Sequence, residues 1–293
     1  MPTSNSSTIS KLDAVAFDAL LRTQDPFGAS NPRFDLRGVK FITPSAMVQL
    51  AAACHALDQE GRRATISLHG IEVPSYLLRS NFVKVVQSVA RFDPPYKADL
   101  LDTFDHLQGS KSVLVEVTKI ETGRALQQLL PRIVDGLIVQ LGFPENAAFD
   151  VATAVSEISQ NTFDHNDETC GFLAMQVYRQ ASTPFLEIGV ADYGDGLATT
   201  LRRNQAYASL TTDWEAIEHA IQNRTSQYDD KTRGTGLHHL MRIASTHSGS
   251  VQIRSGNASL RYRADKQTGR RIAVPPMPGV HIALTLPARL TAT

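Results

Sequence analysis

The second half of the sequence alternates between apolar runs with strand spacing and longer runs with helical spacing. The spacing predicts a strand at Val113–Ile120, followed by two long helices at Thr122–Leu141 and Ala147–His165. It also predicts strands at Phe172–Tyr178, Phe185–Ala191, Ser250–Arg254, Ser259–Ala264 and Val280–Leu286, and helices at Asp213–Asn223 and Leu237–Thr246. This order is typical of an α/β or α+β fold in which helices cover a sheet.

The first half of the sequence has a shorter strand–helix–strand pattern after a polar start. Arg33–Phe41 and Ala64–Leu68 have strand character, and Ser45–Gln59 between them has helical spacing. We therefore predict three segments, which are a partly disordered segment 1–32, a small α/β domain 33–112 and a larger domain 113–293.

Charge and cysteine content exclude several classes of protein. The chain has 29 Lys and Arg against 29 Asp and Glu, so its net charge is zero. We therefore expect no electrostatic binding of nucleic acid by the chain as a whole. Its two cysteines cannot build a disulfide framework. No apolar run approaches the roughly 20 residues that span a bilayer, and the polar N-terminus lacks a signal peptide. We expect a cytoplasmic protein that engages neither nucleic acid nor membrane.

Three polar residues recur every four positions on the second long helix. Glu157, Asn161 and His165 therefore share one helix face. The Asn oxygen is a hard ligand that suits Mg²⁺, and a carboxylate beside it can take a proton from water or a hydroxyl. The same spacing is common on the solvated face of an amphipathic helix, which is the better interpretation of this motif taken alone.

Two glycine-containing motifs follow later in the chain. The segment Asp192-Tyr-Gly194-Asp-Gly196 comes directly after an apolar strand, where a carboxylate can accept a hydrogen bond from an exocyclic amine beside a flat ring. The segment from Arg233 to Leu237 opens a helix with exposed backbone N–H groups that suit a phosphate. Each motif alone is equally typical of an ordinary turn or helix entry.

Taken together and in this order, the three motifs resemble those of the GHKL superfamily of ATPases and histidine kinases. The resemblance covers roughly residues 113–293, and Pro278–Pro287 is similar to the closing strand of the histidine-kinase branch. It implies a Bergerat-type α/β sandwich with a mixed sheet, and it implies Mg²⁺ and ATP as ligands.

The resemblance also implies a role for each motif residue. Glu157 would be the catalytic base, Asn161 the Mg²⁺ ligand and Asp192 the acceptor for the adenine amine. Further nucleotide-binding residues would be His165, Gly194, Gly196, Arg233, Gly234, Thr235, Gly236 and Leu237.

The segment from Phe34 to Val48, with the following helix and strand, looks like a STAS domain, a module found in anti-sigma-factor antagonists. Ser45 falls where such domains carry a phosphorylatable serine. Thr43, Pro44 and Ala46 depart from the motif around it, so we interpret Ser45 as a helix cap instead. The module itself is expected to bind a partner or to dimerise.

Three functions remain open from the sequence. The first is a regulatory switch that binds Mg-ATP, hydrolyses it slowly and changes its contact with a protein partner. The second is a serine protein kinase of the anti-sigma type that acts on a STAS partner, with Glu157 as its base. The third is an interaction scaffold that binds ATP without turnover, and for all three a homodimer is a further expectation. The first is ranked slightly above the second.

Overall fold

The computed structural model of the chain describes residues 9–70, 72–96, 113–164, 170–179, 183–222 and 235–288. In these ranges the chain combines helices with parallel and antiparallel strand pairs, which confirms the predicted α/β (α+β) class. The predicted boundary near residue 112 stays a prediction, because residues 97–112 lie outside the described ranges.

The N-terminal region is built around one buried helix and short parallel strands. Its elements are β1 (Lys11–Leu12), α1 (Ala14–Gln24), β2 (Arg33–Asp35), β3 (Phe41–Ile42), α2 (Pro44–Gln59), β4 (Ala64–Ser67), α3 (Glu72–Arg79), α4 (Phe82–Val86) and β5 (Ala90–Asp93). The strands form a three-stranded parallel sheet in the order β2-β4-β5 and a separate parallel pair, β1-β3. Helix α2 begins at Pro44, whose fixed φ and missing N–H suit a first turn. Nearly all of α2 is buried, so it is a core element.

The C-terminal region forms a five-stranded sheet with helices between its strands. Its elements are β6 (Val113–Ile120), α5 (Gly123–Asp135) continuing into a π-helical turn (Gly136–Gln140), α6 (Glu145–Asp164), β7 (Gly171–Tyr178), β8 (Phe185–Asp192), α7 (Gly196–Arg202), a 3₁₀ turn (Gln205–Tyr207), α8 (Asp213–Ala220), α9 (Gly236–Thr246), β9 (Ser250–Arg263), a second 3₁₀ turn (Ala264–Lys266) and β10 (Thr268–Pro287). The strand order is β6-β7-β8-β10-β9, and every neighbouring pair is antiparallel. The mixed sheet that the resemblance implies would include parallel pairs of strands. Among the described residues, parallel pairs occur only in the N-terminal region.

Helices cover both faces of the five-stranded sheet. On one face, α5, α6 and α9 form a hydrophobic core with strand residues such as Ile188 and Val190. On the other face, α2 packs against β7 and β8, in a core that includes Phe172 and Ala191. Because side chains alternate along a strand, β8 contributes to both cores. The N-terminal region thus supplies the third layer of a helix–sheet–helix arrangement.

Candidate functional site

The structure describes most, but not all, of the residues that the motifs predict for a nucleotide site. His165, Arg233 and Gly234 lie outside the described residues. The others fall in three parts of the chain. Helix α6 carries Glu157 and Asn161, the segment from the end of β8 to the start of α7 carries Asp192, Gly194 and Gly196, and the segment that opens α9 carries Thr235, Gly236 and Leu237.

The start of α9 lies against the middle of α6. A Cβ atom on Gly236 would lie 3.3 Å from the Cβ atom of Glu157, so a glycine here lets the two helices approach closely. Thr235 precedes the helix, but its hydroxyl makes no capping bond and instead donates to Glu157 Oε2 at 3.3 Å. The first and third predicted motifs therefore meet at the Glu157 carboxylate.

Two residues that the motifs do not include also belong to this contact. His239, in the first turn of α9, has its Nδ1 atom 3.6 Å from Glu157 Oε2 and its Nε2 atom 2.8 Å from Asp150 Oδ1. The sequence analysis missed both His239 and Asp150. Spacing could have found Asp150, because it comes seven residues before Glu157 and so lies on the same face of α6. His239 has no such signal, because its contact with α6 follows from tertiary packing.

Asp192 occupies a buried position at the end of β8. Its Oδ1 atom accepts hydrogen bonds from the Gly194 amide at 2.9 Å and the Val280 amide at 3.3 Å. Burial raises the pKa of the Asp192 carboxyl to about 7, although these two amide hydrogen bonds act in the opposite direction. The site thus contains a carboxyl that changes its charge near neutral pH.

Glycines form the wall around Asp192. Gly279 has a φ of 88°, and a Cβ atom there would lie 2.0 Å from the backbone oxygen of Asp192. Gly196 has a φ of 76°, and its added Cβ would lie 2.9 Å from Ser255 Oγ. Both positions combine left-handed backbone with close packing, so they require glycine. The Asp-x-Gly-x-Gly segment is therefore seated firmly against β9 and β10.

One contact joins α6 to the Asp192 region. A Cβ atom on Gly171 would lie 2.0 Å from Thr162 Oγ1, so the turn of α6 next to Asn161 packs directly on the start of β7. Gly171 is also the register partner of Asp192 in the β7–β8 pair. Asn161 is exposed on this turn. Helix α6 therefore contacts α9 through Glu157 and lies one strand away from Asp192 through Thr162.

A magnesium ion that is bound together with a nucleotide would need only one or two protein ligands here. Among the described residues, no group of three or more His, Cys, Asp or Glu side chains is arranged to hold a metal ion. Mg²⁺ bound with nucleotides commonly uses one or two protein oxygens together with phosphates and waters. The exposed amide of Asn161 can supply such an oxygen.

A groove of about 630 Å³ lies between α5 and α6 and reaches Glu157. Its walls are largely apolar and include Leu130, Val134 and Phe149, while Gln160 and Glu157 add polar groups. Phe149 is 53% exposed, which is unusual for a large hydrophobic side chain. The carboxylate of Glu157 is thus reachable from a solvent-facing surface as well as lying against α9.

Ser45 has a structural environment that differs from the predicted helix cap. Thr43 is the N-cap residue of α2, and Ser45 lies inside the first turn with an exposed fraction of only 1%. The Ser45 hydroxyl donates to Glu187 Oε1 of β8, and the Ser45 amide donates to the same oxygen at 3.3 Å. The cap interpretation is therefore wrong, because the hydroxyl satisfies a buried carboxyl group instead.

Comparison with known proteins leaves the family open. No family model matches the chain, and a search of the curated proteins also finds no match. None of the described helices combines the length and the apolar character that crossing a membrane requires. The GHKL-type and STAS-like assignments therefore stay predictions from the motifs.

Proposed function

We propose that this protein is an ATP-binding regulatory switch of the GHKL type, which binds Mg-ATP in a Bergerat-type domain and hydrolyses it slowly. The observation that carries the proposal is the position of α6. One face of this helix contacts Thr235 and Gly236 at the start of α9, and its last turn packs on β7, which pairs with the strand that ends at Asp192. The helix that carries the first motif thus contacts the third motif and lies one strand away from the second.

Each end of the nucleotide has chemically suitable residues. Asp192 can accept a hydrogen bond from the adenine amine, within the glycine wall of Gly194, Gly196 and Gly279. The backbone N–H groups at the start of α9, with the Thr235 hydroxyl, suit the phosphates. Asn161 would hold Mg²⁺, which when bound neutralises charge on the phosphate oxygens.

The mechanism assigns proton transfer to Glu157. Its carboxylate takes a proton from the attacking water as the water oxygen bonds to the γ-phosphorus. The bond from that phosphorus to the bridging oxygen breaks, and its electron pair leaves on ADP. Thr235 holds one oxygen of the carboxylate during this step. The products are ADP, phosphate and one proton.

Calorimetry and phosphate release test this function on the full chain. Glu157→Gln is expected to lower the rate of phosphate release by about 100-fold or more while Mg-ATP binding persists. Asp192→Asn is expected to weaken ATP binding by about tenfold, because an amide presents a poorer acceptor in this geometry. Glu145→Gln, at the exposed start of the same helix, is the matched control and should change neither. A wild-type protein that produces no heat with Mg-ATP would refute the proposal.

The groove beside Glu157 favours a protein kinase as the second candidate. An apolar surface that leads to the base can receive a protein segment with a serine hydroxyl, and a STAS partner is the class that the resemblance implies. Burial of Ser45 speaks against this chain's own STAS-like module as that substrate. Labelled ATP distinguishes the candidates, because a switch releases free phosphate, a kinase labels an added partner and a scaffold does neither.

Location and partners complete the proposal. The free, buried thiols of Cys54 and Cys170 are compatible with a reducing compartment such as the cytoplasm. A regulatory protein partner or a second copy of the chain would sense the nucleotide state. Analytical ultracentrifugation of the protein with and without Mg-ATP tests for self-association.

A further inference from the structure

The candidate base, Glu157, is one of three side chains that form a continuous polar array. Asp150 and Glu157 project from one face of α6, and His239 of α9 lies between them. The imidazole is 2.8 Å from Asp150 through Nε2 and 3.6 Å from Glu157 through Nδ1. Only 15% of the His239 side chain is exposed, so neighbouring groups rather than solvent fix its orientation.

Asp150 is itself held in place from the other side. Arg242, one turn further along α9, contacts both oxygens of Asp150 at 3.0 Å. Burial opposes ionisation of this carboxyl, but the hydrogen bond from His239 and the charge of Arg242 outweigh it and lower the pKa of Asp150. The ionised Asp150 accepts a hydrogen bond from Nε2–H of His239, and this contact turns the Nδ1 side of the ring toward Glu157. The ring can donate to both carboxylates only as the imidazolium, in which both nitrogens carry a proton.

Both described contacts of the Glu157 carboxylate involve the same oxygen. Thr235 Oγ1 and His239 Nδ1 approach Oε2, at 3.3 Å and 3.6 Å. Fixing one oxygen of a carboxylate sets the direction of the other, Oε1, which is the atom that would receive a proton from water. A general base contributes fully only when this direction is held in the reacting geometry.

We propose that His239, held by Asp150, is a positioning residue that orients the Glu157 carboxylate for proton transfer. The inference rests on the proposed ATP hydrolysis, and it adds no step to that reaction. The competing explanation is a polar network that only joins α6 to α9. A network of that kind predicts a loss of stability on mutation, whereas a positioning role predicts a loss of turnover with ATP binding intact.

Two matched substitutions at one position separate these explanations. The amide nitrogen of Asn overlies Nδ1 of a histidine, so His239→Asn keeps a donor toward Glu157. The amide nitrogen of Gln overlies Nε2, so His239→Gln keeps only the contact toward Asp150. We expect His239→Gln to lower kcat by about 10- to 100-fold with the Kd for Mg-ATP changed by less than about threefold. His239→Asn should restore at least half of that loss on a logarithmic scale, and Glu145→Gln, on the same helix as Glu157 but outside the array, should stay near the wild-type rate.

A spectroscopic measurement tests the array without relying on turnover. In ¹⁵N spectra of the full chain, Glu157→Gln is expected to shift the His239 Nδ1 resonance, identified by its absence in His239→Asn. Glu145→Gln, on the same helix but outside the array, should leave the resonance unchanged.

The outcomes divide clearly between the two proposals. Two results would overturn the positioning role and leave the proposed ATP hydrolysis standing. One is a His239 Nδ1 resonance that does not shift in Glu157→Gln. The other is an equal loss of kcat in His239→Asn and His239→Gln that parallels their losses of Tm. A wild-type protein without phosphate release overturns the proposed hydrolysis and the positioning role together, and a shifted resonance would then show the array to be structural. A loss of kcat in His239→Gln, recovery in His239→Asn and the expected resonance shift support the inference.

Discussion

Strand β8 carries two buried carboxyl groups, one on each face of the sheet, and they differ in the groups that donate hydrogen bonds to them. Glu187 and Asp192 are only 7% and 9% exposed. They are five residues apart, and because side chains alternate along a strand, they point to different faces. Glu187 faces α2, where Ser45 donates to it through both its amide and its hydroxyl. The pKa of Glu187 is raised, chiefly by burial and against these hydrogen bonds.

Among the residues that the structure describes, no side chain donates to Asp192 in this way. Its hydrogen bonds come from the Gly194 and Val280 amides, and both reach Oδ1. The described residues supply no donor to its other oxygen. The two carboxyl groups thus differ in their partners, since Glu187 contacts a side chain of α2 and Asp192 contacts two backbone amides.

The largest expected effect concerns the pH dependence of stability at Asp192. The pKa of this carboxyl is about 7 in the folded chain, against an ordinary value of 3.8. The folded state therefore retains a proton that the unfolded state loses, so this contribution is complete below about pH 4 and is lost as the pH rises to about 7. Asp192→Asn removes the titration and is expected to raise the free energy of unfolding at pH 8 by roughly 2–4 kcal/mol. Urea denaturation at pH 5 and pH 8 measures the change.

Asp195→Asn is the control for this experiment. Asp195 lies in the same loop, but it is 42% exposed and pairs with Arg203 at the surface. Its substitution should keep most of the pH dependence of stability, because the charge of Asp195 is the smallest of the causes that act on the pKa of Asp192. Equal pH slopes in Asp192→Asn and the wild type would contradict the assignment of a buried, protonated carboxyl.

Regular elements could be predicted from the sequence because their signals are local. The strand at Val113–Ile120 is confirmed with the bounds that its spacing predicts, and α6 begins within two residues of the prediction. The strands near the C-terminus were predicted too short, since Gly256 and the prolines after Val274 resemble strand ends. Strands β9 and β10 instead run through these positions, and shifts of register near Met277 and Val280 accommodate the prolines.

The candidate site could be predicted only in part, for a physical reason. The resemblance of the motifs to the GHKL superfamily implies that Glu157 and Gly236 belong to one site, and the structure brings these two residues together. The contacts of His239 with Asp150 and of Ser45 with Glu187 join residues 89 and 142 positions apart. No periodicity in the sequence reports which faces of distant elements pack together. Such partners follow from tertiary packing alone.

The second prediction tests how α2 packs on β8, by a substitution at Gly189. A Cβ atom on Gly189 would lie 2.5 Å from Ser45 Cα and 2.8 Å from Ser45 N, and both of these atoms belong to the backbone. Gly189→Ala must therefore push α2 away from the sheet, at a cost of about 2–3 kcal/mol in the free energy of unfolding. Gly123→Ala is the control, because nothing lies within 4 Å of a Cβ atom there. A Gly189→Ala variant as stable as Gly123→Ala would show that α2 does not pack on β8 as described.

The smallest expected effect comes from removing the hydroxyl that satisfies Glu187. Ser45→Ala leaves the carboxyl with fewer donors in a buried place, which should lower the free energy of unfolding by about 1–2 kcal/mol. Adding Glu187→Gln to Ser45→Ala should change stability less than Glu187→Gln does alone, because the two residues form one contact. Since the pair faces α2 and not the candidate nucleotide site, the Kd for Mg-ATP should stay within about twofold of the wild type in all three variants. A weakened Kd in Ser45→Ala would instead mean that the two faces of β8 are coupled, and the contrast between a structural and a ligand-binding carboxyl would no longer hold.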